Sequence, residues 1–125
     1  MSHLRKCSLS LKNVDNTLVE EVINAIAKEV NGTVVNEVRD YFGNSIKVIA
    51  GVTASNIRGF GIVVEKNEVK VVGDDFGQDF KIDDFKRMFT TYYTTLAINR
   101  SLNMLGYTVN THAEKEKIYI YGVRV

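Results

Sequence analysis

From Arg5 to Lys12 the chain alternates, with Cys7, Leu9 and Leu11 on one side and Lys6, Ser8, Ser10 and Lys12 on the other. That period of two predicts a half-buried strand. The period then changes. Val19, Val22, Ile23, Ile26, Ala27 and Val30 recur every three or four residues, the apolar stripe of an amphipathic helix. Thr17-Leu18-Val19-Glu20 fits a capping box at its start, and Asn31-Gly32 a left-handed stop at its end. Four strands are predicted next. Thr33 to Phe42 and Ser45 to Thr53 flank Gly43-Asn44, while Phe60 to Glu65 and Val69 to Val72 flank Lys66-Asn67-Glu68. In the second of these strands Ile46, Val48, Ala50 and Val52 are expected on one face.

After a polar loop from Asp74 to Lys81, Phe85, Met88, Phe89, Tyr92, Leu96, Asn99 and Leu102 mark one stripe of a long helix. Asp83 is its expected cap and Gly106 its end. Tyr107 to His112 and Lys117 to Val125 read as two last strands. The order β-α-β-β-β-β-α-β-β implies an α+β fold: a single domain over residues 1–125, with one antiparallel β-sheet and both helices packed on one face. Several strands are apolar on both sides. The uncovered face is therefore either closed by loops or curvature, or is a surface for a partner or ligand.

Composition narrows the function classes. The 125 residues are 45% hydrophobic and 25% charged, which suits a globular domain and not a disordered chain. Sixteen Lys and Arg against fifteen Asp and Glu leave a net charge of +1, so a nucleic-acid partner is not favoured. One cysteine permits no intrachain disulfide. No leader-like or membrane-spanning apolar run is present, so no membrane partner is expected and the expected location is cytoplasmic.

Candidate chemistry is sparse. Cys7 lies on an apolar strand face, where a small buried hydrophobe is the common role. The two histidines, His3 and His112, have no spacing that makes a zinc site. Asp74, Asp75 and Asp79 are the one acidic cluster in a glycine-containing loop. With His112 they form the metal-dependent alternative, against a solvated loop interleaved with Lys81 and Lys86. Glu37, Arg39 and Tyr41 alternate on a strand, either as a small-ligand site centred on the Arg39 guanidinium or as an exposed ladder opposite Lys47. Gly59-Phe60-Gly61 lacks the phosphate-loop pattern, and no cofactor is implied. Tyr119, Tyr121 and Val123, with Val125, end the chain on a strand defended only by Arg124, a candidate self-association edge for a homodimer.

A set of short motifs runs through the chain: Met1-Ser2-His3 before a strand, Glu37-Val38-Arg39-Asp40-Tyr41-Phe42-Gly43, Gly59-Phe60, Val71-Val72-Gly73-Asp74, Phe85, Thr91-Tyr92-Tyr93, Gly106-Tyr107-Thr108-Val109 and Arg124. Together they resemble the uncharacterised proteins of cyanobacterial genomes and algal plastids known as a hypothetical chloroplast open reading frame family. The absence of tryptophan and the longer Val48-to-Asn56 region set this chain apart as a distant branch. The resemblance implies a single α+β domain and brings no catalytic residues. These readings together lead to the expectation of a non-enzymatic binding or assembly module with a protein partner. The alternatives are a small metal-dependent enzyme or a small-ligand or nucleic-acid binder.

Overall fold

A computed structural model describes residues 4–9, 11, 14–114 and 117–124, with side chains to Tyr107. The elements are β1 (Arg5–Ser8), α1 (Asn16–Glu29), β2 (Thr33–Arg39), β3 (Ser45–Ala54), β4 (Ile57–Glu65), β5 (Glu68–Gly73), α2 (Ile82–Met104), β6 (Tyr107–Glu114) and β7 (Lys117–Arg124). Five strands form one antiparallel sheet in the order β1-β5-β4-β3-β2. The fold is α+β, as the alternation of periods implies. The expected single sheet is divided, however: β6 and β7 pair with each other in a separate two-stranded ladder that lies against α2. Local pairing across a short turn accounts for this, since a hairpin satisfies its own inner hydrogen bonds wherever it docks.

Local chemistry explains the element ends. α1 is capped by Asp15, whose Oδ1 accepts from the Thr17 amide at 2.8 Å, not by the expected Thr17 box. Its other end follows the expected stop. Asn31 is left-handed at φ 54°, and the Gly32 amide returns to the Ala27 carbonyl at 2.8 Å. Lys66 and Asn67, both at positive φ, make the two-residue turn between β4 and β5. α2 starts one residue before Asp83. Asp84 accepts from the Lys81 amide at 2.9 Å and Asp75 from the Ile82 amide at 2.8 Å, so these two carboxylates replace Asp83 as the cap.

The core lies between the sheet and both helices. Val19, Val22, Ile23 and Ile26 of α1 and Ile82, Phe85 and Phe89 of α2 meet Ala50, Val52, Phe60, Ile62, Val69 and Val71. A run of rings crosses from sheet to helix: Phe60 stacks on Phe85 at 5.2 Å, Phe89 follows at 6.4 Å, and Tyr93 stacks on Phe89 at 5.8 Å.

The opposite face is closed by curvature. A flat sheet would hold β2 and β5, three positions apart, about 14 Å from each other. Here they approach within 8 Å. The register between β2 and β3 shifts from Val35↔Gly51 to Glu37↔Lys47, so β3 carries extra residues at the bend. The expected alternation of Ile46, Val48, Ala50 and Val52 breaks there: Ile49 packs with the core, whereas Val48 turns onto Gly61. Val38 is fully buried, with its methyls against Gly51 and Gly59. The glycines of β3 and β4 leave the space that the outer end of the β2–β3 hairpin fills.

Candidate interaction surface

Curling carries the tip of the β2–β3 hairpin, residues 40–44, across to the loop that follows β5. Asp40 organises the tip. Its Oδ1 accepts from the Phe42 and Asn44 amides, both at 2.9 Å, and its Oδ2 from the Asn44 side-chain amide at 3.0 Å. The bond from the Asn44 side chain, more than any other interaction, holds the Asp40 carboxyl below its usual 3.8.

Asp74, 2% exposed, joins tip to loop. Its Oδ2 accepts from the Tyr41 amide at 2.8 Å and its Oδ1 from the Phe76 amide at 3.0 Å. Arg58, near the start of β4, completes the frame by donating to the carbonyls of Asp74 at 2.8 Å and Phe76 at 3.0 Å. Its guanidinium also lies 3.7 Å from the Asp74 carboxylate and 5.3 Å from the centre of the Tyr41 ring. The Arg58 amide donates to Gln78 Oε1 at 2.7 Å.

On this frame stand three exposed aromatic side chains. Tyr41 is 60% exposed, Phe42 71% and Phe76 48%. Tyr41 meets Phe42 edge-on at 5.3 Å and Phe76 edge-on at 6.0 Å. Their backbone amides are bonded to Asp40 and Asp74, so the rings project from a hydrogen-bonded mount.

The expected site residues are distributed differently. Glu37 faces Lys47 and Arg39 faces Ser45 across the hairpin, the ladder arrangement. Tyr41 lies beyond the end of β2 and turns to Arg58 and Phe76. Asp74 and Asp75 point their carboxylates at backbone amides, with Arg5 3.8 Å from Asp75, while Asp79 is exposed. Among the described residues, no three His, Cys, Asp or Glu side chains converge as a metal site. Cys7 packs at the margin of the core opposite Val71. The side chains of His112, Tyr119, Tyr121 and Val123 lie outside the described residues, and so does His3. Phe42, Arg58 and Phe76 are not among the expected site residues. A large aromatic beside Gly77 was the available signal, shared in the same loop by Phe80, which packs against the core instead.

No protein-family model matches the chain, and neither does any curated protein or solved structure. Among the described residues no helix is long and apolar enough to cross a membrane.

Proposed function

We propose that the chain is a non-catalytic binding module that engages a protein partner through Tyr41, Phe42 and Phe76. The observation behind this reading is the exposure of three contiguous aromatic side chains on a mount built from Asp40, Arg58 and Asp74. Rigid aromatic side chains lose little conformational entropy on contact and carry much of the energy of protein interfaces. Holding large apolar rings in water has no benefit for folding, whereas the buried frame beneath them does.

The metal-dependent alternative would need carboxylates free to bind a cation. Asp74 and Asp75 instead accept from the Tyr41, Phe76 and Ile82 amides. The plastid-type resemblance brings no residue roles, so the proposal rests on the surface alone.

Changing Tyr41, Phe42 and Phe76 together to Ser tests it. Because the three side chains are largely exposed, the triple change should cost only the ring contacts and the Arg58–Tyr41 contact, about 1–3 kcal/mol in all, and leave the protein folded. Quantitative affinity capture from the native cell, wild type against variant, should show specific partners lost from the variant. An unchanged set of captured proteins, with the variant folded by circular dichroism, would overturn the proposal.

A further inference from the structure

Asn31-Gly32 is the one Asn-Gly pair in the chain. Such a pair is chemically labile. The glycine nitrogen attacks the asparagine side-chain carbonyl carbon and gives up its proton, and the side-chain nitrogen leaves as ammonia. Water then opens the five-membered imide at one carbonyl or the other, giving aspartate or isoaspartate. Glycine speeds the attack because it places no side chain beside the nitrogen. The turn after α1 holds the two partners away from this reaction. Asn31 is left-handed at φ 54°. The Gly32 amide donates to the Ala27 carbonyl at 2.8 Å and the Asn31 amide to the Lys28 carbonyl at 3.4 Å, the two bonds of a Schellman motif. Left-handed backbone has a ψ of about +47°, which sets the asparagine Cβ anti to the next nitrogen about the Cα–C bond. Ring closure needs the two eclipsed. The surroundings oppose that rotation. A Cβ on Gly32 would lie 2.5 Å from the Thr53 carbonyl oxygen and 3.0 Å from a Val52 methyl, and β2 pairs with β3 from Thr33 onward.

We propose that Asn31 is a deamidation site closed by the fold: it reacts only when the turn between α1 and β2 opens, and so records that opening irreversibly. Water is the only co-reactant. The two products differ in consequence. Aspartate still tolerates the left-handed region, and adds one negative charge at a helix C-terminus, where the dipole disfavours it. Isoaspartate adds a methylene to the main chain itself, immediately before a glycine that is packed against β3 without slack. The closed turn is then lost, and the modified molecule does not return to the original packing. The site is separate from the aromatic surface and does not depend on it.

Peptide mapping by mass spectrometry tests this by following deamidation at Asn31 in the whole protein and in a synthetic peptide of residues 27–36, both in one mildly alkaline buffer. The folded protein should react at least about tenfold more slowly than the peptide. Exchange of the Gly32 amide hydrogen, measured by NMR, should be slowed by a similar factor, since both processes need the same opening. Isoaspartate protein, made by deamidation in urea and refolding, should unfold at lower urea than Asn31→Asp. Deamidation of the folded protein at the rate of the peptide would overturn the proposal. So would slow deamidation beside a Gly32 amide that exchanges as freely as in the peptide. An isoaspartate form as stable as Asn31→Asp would overturn it too, because the turn would then have absorbed the extra methylene.

Discussion

Asp40 shows how one carboxylate shapes a surface. Charged, it accepts three hydrogen bonds from the Phe42 and Asn44 groups that close the hairpin tip. Its native carboxyl titrates below the usual 3.8. A group whose pKa is lowered by folding adds stability that is present above its unfolded pKa and is lost as pH falls through the native one. Asp40→Asn removes that dependence. Wild type should therefore exceed the variant by a constant margin above about pH 5, and the margin should shrink in more acidic solution. Denaturant unfolding of both proteins from acid to neutral pH measures this, and a margin independent of pH would contradict it. A carboxylate before a glycine-containing turn is visible in the sequence as a turn former. That its neighbour Tyr41 would be anchored by Asp74, 33 positions on, is not, because only the curl of the sheet makes them neighbours.

At the scale of elements, the bend in the β2–β3 hairpin depends on a close approach. A methyl group at Gly61 would lie 2.7 Å from a methyl of Val48, closer than packed carbons allow. Gly61→Ala should destabilise the protein by about 1–3 kcal/mol through overpacking. Adding Val48→Ala should recover part of that loss, a coupling of about 0.5–3 kcal/mol in a double-mutant cycle. Additive effects would mean that the two strands do not interlock here. Both helices, the position of a tight turn after Glu65 (one residue shorter than expected) and the four strands between the helices were legible because each is encoded by local periodicity and turn residues. The bulge was not. A run of Ile46, Val48, Ala50 and Val52 looks like one continuous face, and only the competing needs of the core and of Gly61 split it.

For the molecule as a whole, the stack from Phe60 through Phe85 to Phe89 ties the sheet to α2. Phe85 is fully buried, and Phe85→Ala should cost about 3–5 kcal/mol. Domains of this size hold about 5–15 kcal/mol in total, so urea unfolding should shift to much lower concentration or find the variant already unfolded. A small shift would show that α2 is not bound to the sheet through this residue. The aromatic surface belongs to this scale too. It exists because a curled sheet brings residues 41 and 76 together, and because Arg58 reaches the carbonyls of the same loop. By itself the sequence determined the fold class, the order of elements and the buried stripe of α1, since strand and helix periods are written into neighbouring residues. Tertiary structure alone decided the division into two sheets, the capping of α2 by Asp75 and Asp84, the position of β2 at the end of the five-stranded sheet and the placing of three aromatics on one surface. Each of these depends on contacts between distant positions, whose energy a local pattern does not carry.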